Sequence, residues 1–144
     1  VQSQGWALQL DYSLPSGYTI GGNVAYNELI SQADLIAQGF RAAYNTPKYR
    51  YNIKFENRKV TDKIGFNVTW RWQQAFLWES SFGVGVVPAF GTLDAQVSYR
   101  VPEWKSIFKI GASNLLNEYY ITSIGNPSIG GIYYIQITFD EFFN

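Results

Sequence analysis

The sequence predicts an all-β fold, an antiparallel up-and-down segment of a transmembrane β-barrel with about seven strands. Three observations predict it. Apolar and polar residues alternate with a period of two along seven separate runs. The chain has 11 Lys and Arg and 11 Asp and Glu, and none of them falls on the apolar side of a run. The connections between runs alternate short and long, as in outer-membrane barrels, whose periplasmic turns are short and whose extracellular loops are longer.

The first run sets Trp6, Leu8, Leu10, Tyr12 and Leu14 against Ala7, Gln9, Asp11 and Ser13, and a Pro15-Ser16-Gly17 turn ends it. The second carries Ile20, Val24 and Tyr26 opposite Thr19, Asn23 and Asn27. The third places Tyr49, Tyr51, Ile53 and Phe55 against Arg50, Asn52, Lys54, Glu56 and Arg58. The fourth places Ile64, Phe66, Val68, Trp70 and Trp72 against Gly65, Asn67, Thr69, Arg71 and Gln73. In the fifth, Leu93, Ala95, Val97, Tyr99 and Val101 oppose Asp94, Gln96, Ser98 and Arg100. The sixth has Phe108, Ile110 and Ala112 against Lys109, Gly111 and Ser113. The seventh has Tyr133, Ile135, Ile137 and Phe139 against Tyr134, Gln136, Thr138 and Asp140.

A cation on the lipid-facing midplane of a barrel costs about 2–4 kcal/mol, which is the penalty that would sort charge this way. A soluble sheet buried on one face would sort it equally, so charge sorting alone does not decide the environment. Residues 15–17, 59–63 and 102–106 form the tight connections, and 28–48, 74–91 and 114–131 the long ones. Placing the short ones in the periplasm sends the seventh run downward and leaves Asn144 on the periplasmic side. Aromatic residues gather at both ends of the runs, as amphipathic rings do at headgroup level, against the plainer reading that aromatics simply favour strands. Tyr12, Tyr18, Tyr99, Trp104, Phe108 and Phe139 fall at the periplasmic end, and Trp6, Tyr26, Tyr49, Trp70, Trp72 and Tyr133 at the outer end. Strands of about ten residues at roughly 3.3 Å each, tilted near 40°, span about 25 Å, the height of the apolar band. Seven strands do not close a membrane barrel, and open edges in hydrocarbon are not viable, so further strands are expected to complete this one.

Composition removes several function classes. Formal net charge is zero, which gives no basic surface for nucleic acid. Cys, His and Met are absent, which excludes disulfides, a zinc site built from Cys or His, and imidazole catalysis within this stretch. No run of 18 apolar residues offers a transmembrane helix. Residue 1 is Val, so a removed leader or a longer parent chain is expected.

Three stretches carry a family resemblance: Tyr44 to Phe55 (YNTPKYRYNIKF), Pro88 to Pro102 (PAFGTLDAQVSYRVP) and Lys109 to Phe139 (KIGASNLLNEYYITSIGNPSIGGIYYIQITF). The last resembles the closing strands of SusC-like, Bacteroidetes-type TonB-dependent receptors. In those the penultimate strand ends in a G-x-S-N-L-L-N run, here Gly111 to Asn117. A G-N-P-x-x-G-G loop follows, here Gly125 to Gly131, and then the final alternating strand, Ile132 to Phe139. The resemblance implies that residues 1–144 are the C-terminal part of a plugged barrel of roughly 22 strands, with the plug domain and earlier strands lying upstream. It implies uptake of a glycan or peptide across a Gram-negative outer membrane, with no catalysis and no cofactor. The implied partners are outer-membrane lipid, the rest of the barrel and its plug, TonB through the N-terminal part, and a SusD-like surface lipoprotein. It also makes Tyr133, Ile135, Ile137 and Phe139 a terminal-strand assembly signal. The departure is at the end, where Phe142 and Phe143 are followed by Asn144 rather than closing on an aromatic.

Other candidates weigh less. Gly125 to Gly131 lacks the Lys-Ser/Thr of a phosphate loop and precedes a strand, so it reads as turn punctuation. Asn67-Val68-Thr69 matches a glycosylation triplet by chance inside a strand. Glu79, Asp94 and Glu118 show no calcium-loop spacing and read as solvated charges. Trp78, Phe82, Tyr119 and Tyr120 are the loop aromatics able to stack on a sugar or peptide, against the plainer role of packing loops together. Arg50, Lys54, Glu56, Arg58, Arg71, Asp94 and Arg100 line the polar side, either gripping a plug or pairing across strands. The competing readings are a soluble small-ligand-binding β-barrel, with the same alternation inverted, and an outer-membrane hydrolase whose base lies elsewhere.

Overall fold

A computed structural model describes residues 1–37 and 43–139. The strands, in chain order, are β1 (Gln2–Ser13), β2 (Tyr18–Ser31), β3 (Tyr49–Asn57), β4 (Ile64–Gln73), β5 (Phe76–Ser80), β6 (Gly83–Val87), β7 (Phe90–Val101), β8 (Ser106–Ser113) and β9 (Ile132–Phe139). One short helix, α1 (Ala33–Ala37), follows β2. Seven strands form one antiparallel sheet in the order β1-β2-β3-β4-β7-β8-β9. Every neighbour in that sheet is the next strand along the chain once the β5–β6 hairpin is set aside, which is up-and-down topology.

The register explains why the charges sort as they do. Across β2–β3 and β3–β4, Val24 faces Tyr51 and Tyr51 faces Trp72, while Asn23 faces Asn52 and Asn52 faces Arg71. Across β4–β7 and β7–β8, Phe66 faces Val97 and Val97 faces Ile110, while Asn67 faces Gln96 and Gln96 faces Gly111. A one-residue slip would mix the two sets, so each ladder keeps like with like. The sheet therefore has one apolar face and one polar face along its whole width.

No closed interior lies between those faces. Among the described residues only Val87 and Ala112 are buried hydrophobics, while Leu8, Leu10, Ile53, Val97, Ile110, Ile135 and Phe139 are exposed. A soluble ligand-binding barrel would gather these side chains inside, and this sheet does not. A shallow groove of ≈ 670 Å³ on the apolar face is bordered by Val97, Ile110, Tyr133 and Ile135, with the small pair Ala95 and Ala112 among its lining.

Aromatic rings cluster at the two ends of the apolar face. Trp6 stacks on Tyr26 at 5.9 Å between centroids, Tyr26 tilts against Tyr49 at 5.0 Å, and Tyr51 stacks on Trp72 at 5.2 Å. At the opposite end Tyr18, Phe55 and Phe66 form a triangle, and Trp104 meets Phe108 edge-on. Tyr51, Phe55 and Phe66 are additions to the rings expected from sequence. Trp70 also packs within the sheet. Its indole lies over Gly91, where a Cβ would sit 2.5 Å from the ring.

The tight turns fall on one rim and the long connections on the other. Ser16 and Gly17 both take left-handed φ, at 61° and 78°, to reverse the chain between β1 and β2. Asn57 occupies an apolar-face position but spends its amide locally. Its Nδ2 donates to the Ser16 carbonyl at 2.9 Å and its Oδ1 accepts from the Lys59 N–H at 2.7 Å, tying two neighbouring short turns together. The long connection between β4 and β7 differs from the expected loop, since it folds back as the β5–β6 hairpin. The strands also run further than the alternation showed, with β1 starting at Gln2 and β2 reaching Ser31. Asp140, Phe142, Phe143 and Asn144 lie outside the described residues.

The two faces make opposite predictions for adjacent residues. Val97→Arg, on the apolar face mid-strand, should destabilise the full-length protein in lipid vesicles by about 2–4 kcal/mol in urea unfolding. Gln96→Arg, one residue away on the polar face, should leave the midpoint nearly unchanged. Equal losses would contradict the assignment of faces.

Candidate functional site

The polar face is wired by side chains that reach across strands. Lys54 on β3 and Asp11 on β1 pair at 2.9 Å over β2, and Gln9 Nε2 donates to the same carboxylate at 2.8 Å. The crossing is open because residue 21 is Gly. A Cβ there would sit 2.0 Å from Asp11 Oδ1 and 2.7 Å from Lys54 Cε. The same device recurs at Gly111, where the Tyr134 hydroxyl on β9 reaches over β8 to Gln96 Oε1 on β7 at 3.1 Å. Asn67 Nδ2 donates to Glu56 Oε2 at 3.0 Å and its Oδ1 accepts from Thr69, so the glycosylation-like triplet is occupied by strand pairing.

Asp94 is the most connected group on this face. Its Oδ2 pairs with Arg71 Nη2, while its Oδ1 accepts from the Asn114 N–H at 2.9 Å and from Ser113 Oγ at 3.1 Å. Asn114, only 2% exposed, then encloses one turn of the loop with its amide. Its Nδ2 donates to the Glu118 carbonyl at 2.7 Å and its Oδ1 accepts from the Glu118 N–H at 3.1 Å. Asn117 Oδ1 accepts from the Gly131 N–H at 2.7 Å, joining the two ends of the 114–131 loop. Asn114 and Asn117 both hold left-handed φ, at 55° and 56°, a conformation Asn tolerates well. Gly130 and Gly131 are needed opposite them, since a Cβ would approach Asn117 Oδ1 or the Asn114 carbonyl to 2.7 Å. The S-N-L-L-N run and the G-G pair are thus two halves of one loop closure.

The long-connection rim is built from this loop, the β5–β6 hairpin and residues 43–48. Gly83 and Gly85 of β6 lie against Ile124, and a Cβ at Gly85 would be 3.0 Å from Ile124 Cδ1. Asn45 binds the hairpin edge as an extra strand would. Its Oδ1 accepts from the Glu79 N–H at 2.8 Å and its Nδ2 donates to the Glu79 carbonyl at 3.0 Å. At the same rim Glu28 Oε1 pairs with Lys48 at 2.8 Å, and Glu28 Oε2 accepts from the Tyr26 hydroxyl at 2.6 Å. The Glu28 carboxylate, then the Tyr26 hydroxyl, raises the Lys48 pKa above its ordinary 10.5. Lys48 therefore stays charged through the neutral range, and its pairing is lost as pH rises through that raised value, or as pH falls through the Glu28 pKa, which is lowered to about 2.

The four candidate loop aromatics separate into two pairs. Tyr120 stacks on Phe90 at 4.1 Å and bridges to Ile129, and Trp78 stands opposite Gly85 inside the hairpin. Both pack the rim. Phe82 at the hairpin tip is 96% exposed and Tyr119 is 71% exposed. Of the four loop aromatics, these two face outward. Tyr133, Ile135, Ile137 and Phe139 line the apolar face of the edge strand β9, all exposed. Glu79, Asp94 and Glu118 do not assemble, and no cluster of metal-ligating side chains exists among the described residues. No described helix is long and apolar enough to cross a membrane. Sequence reasoning missed Asn45, Asn114 and Asn117. Only the isolated Asn residues in turn context signalled them.

No protein-family profile and no curated protein matches the chain. Solved structures do. The ferric-catecholate import receptor Fiu from E. coli K12 in its closed form matches with a TM-score of 0.65 at 17% identity, over 94% of this chain and 21% of that one. Its open form matches at 0.63 with the same identity and coverage. A variant of the ferric enterobactin receptor PfeA from Pseudomonas aeruginosa matches at 0.65 and 15% identity, over 92% of this chain and 21% of that one. These neighbours are TonB-dependent outer-membrane receptors, and their fold is a β-barrel. This chain has the fold of a receptor-barrel wall. It spans 21% of the length of the receptors it matches.

The division among the aromatics is testable. Tyr120→Ala removes a stacked pair worth about 0.5–1.5 kcal/mol beyond its buried area, so limited proteolysis within 114–131 should speed up several-fold. Tyr119→Ala and Phe82→Ala should leave the cleavage rate unchanged. Faster cleavage in all three would return Tyr119 and Phe82 to a packing role.

Proposed function

We propose that this chain is the closing wall of a TonB-dependent outer-membrane receptor that takes up a nutrient. The carrying observation is the sheet itself: one continuous apolar face, one continuous wired polar face, and two free edges at β1 and β9. In hydrocarbon those edges require partner strands, which the rest of the same barrel supplies. The apolar face then meets acyl chains, and the polar face, with Arg71, Lys54 and Asp94, meets the water-filled or plugged lumen. The short-turn rim is periplasmic, with the C-terminus there, and the long-connection rim is extracellular. Tyr133, Ile135, Ile137 and Phe139 serve as the terminal-strand assembly signal, and no catalysis is assigned to the chain.

The SusC-like motif between Lys109 and Phe139 supports the finer reading, with a glycan or peptide as cargo, a plug inside, TonB beneath and a SusD-like lipoprotein above. Exposed Phe82 and Tyr119 supply the aromatic faces such a cargo would stack on. A second reading, a ferric chelate as cargo, is favoured by the fold neighbours, which are receptors for ferric catecholates and ferric enterobactin.

Uptake by cells carrying the full-length protein separates these. Accumulation of labelled oligosaccharide or oligopeptide, abolished by a protonophore, is expected. Accumulation of ferric catecholate alone would replace that cargo with the second. A full-length protein that partitions into buffer and shows no heat-modifiable barrel on gels would end both readings.

A further inference from the structure

The contacts at the extracellular rim form one unbroken chain that begins on the lumenal wall. Arg71 on β4 holds Asp94 on β7. Asp94 holds the Asn114 N–H at the base of the 114–131 loop, and the Asn114 amide encloses Glu118. Asn117 closes the loop onto Gly131. From the far part of that loop Ile124 packs on Gly83 and Gly85 of β6. β6 pairs with β5, and the backbone of Glu79 on β5 is gripped on both sides by Asn45. The joints are of three kinds: the Arg71–Asp94 ion pair, the hydrogen bonds at Asn114, Asn117 and Asn45, and the Ile124 side chain seated where Gly83 and Gly85 leave room. Only the first pairs two charges, and salt screens it at its exposed Arg71 end.

Loops that shared no contacts would open independently. Segments joined in this way open as one cooperative unit, because freeing any member breaks the neighbour's contacts as well. Arg71 is the exposed end of the series, at 59% side-chain exposure, while the Asp94 side chain is only 15% exposed. Asp94 is therefore the carboxylate that fixes the rim to the wall, beside two further ties: the Leu115 N–H donates to the Leu93 carbonyl at 2.6 Å and the Tyr133 hydroxyl to the Leu115 carbonyl at 3.1 Å.

We propose that Asp94 is a positioning residue that keys the rim to the lumenal wall, so that the 114–131 loop, the β5–β6 hairpin and residues 43–48 move as one body. The terms lumen and rim rest on the receptor reading above. The experiment is hydrogen–deuterium exchange of the full-length protein in detergent, comparing wild type with Asp94→Asn, Arg71→Gln and Asn45→Ala.

Asp94→Asn is expected to raise exchange by about tenfold across 114–131, and by a similar factor in the hairpin and in 43–48. Asn45→Ala is expected to spread the same effect inward from the other end, reaching 114–131. Arg71→Gln should reproduce Asp94→Asn, and Arg71→Lys should restore part of the protection. Faster exchange confined to residues 113–118 in Asp94→Asn, or to 43–48 and Glu79 in Asn45→Ala, overturns the coupling. If Asp94→Asn does not assemble, Asn45→Ala, which lies outside the sheet, decides alone. Heat-modifiable mobility of the wild type is read in parallel. Its absence counts against the receptor reading, whereas a folded barrel with confined exchange counts against the coupling only.

Discussion

Every backbone N–H and C=O that enters hydrocarbon must find its partner within the protein, because lipid offers none. The strand ladder of this chain meets such a constraint, and the ladder in turn dictates where side chains go. Once strands pair in the observed register, each alternate residue meets either the apolar or the polar side. The positions of Arg50, Lys54, Arg71 and Arg100 then follow, since a cation one residue out of place would lie on the apolar face. The exceptions sit at strand ends and are bonded locally. Asn57 points to the apolar side and spends its amide on the Ser16 carbonyl and the Lys59 N–H, and Glu28, on the Tyr26 side of β2, is held by the Tyr26 hydroxyl and Lys48.

A sheet without a closed core must draw rigidity from another source. Ordinary domains obtain it from interdigitated apolar side chains, whereas here Val87 and Ala112 are the buried hydrophobics among the described residues. The substitute is side-chain bridging across a strand. Gly21 lets Asp11 and Lys54 meet over β2, and Gly111 lets Tyr134 reach Gln96 over β8. Glycine usually weakens a strand by removing a side chain from the packing. In this wall the lost side chain is replaced by one from a strand further along, so next-nearest strands are tied directly. On the other face the Trp70 indole fills the space over Gly91 in the same way.

The wall was legible in the sequence and the rim was not, for a physical reason. Membrane strands are two-faced along their whole length, so period-two alternation from Trp6 to Leu14 or from Ile64 to Gln73 carries the signal in every residue. The β5–β6 hairpin has no such environment. Gly83, Val84, Gly85, Val86 and Val87 give no polar side, and the Ser81-Phe82 turn lacks the Asn-Gly or Asp-Gly mark of a tight hairpin. The joint between Asn45 and Glu79 joins residues 34 apart through one side chain, which no local pattern encodes. Of the loop aromatics, Tyr119 and Tyr120 are neighbours of one type. Only the fold separates the exposed ring from the one stacked on Phe90.

Two different selectors act on the two parts of the chain. The wall follows strand pairing and two-faced alternation, and it matches the Fiu receptor with a TM-score of 0.65 at only 17% identity. The rim's fixed points are side-chain amides and glycines rather than strand ladders. A rim held by Asn45, Asn114 and Asn117 can change its exposed residues, Phe82 and Tyr119 among them, without disturbing the closures beneath. The part of the chain least constrained by strand pairing is therefore also the part with the most freedom to vary, and the Asp94 carboxylate and the Leu115 N–H join it to the wall.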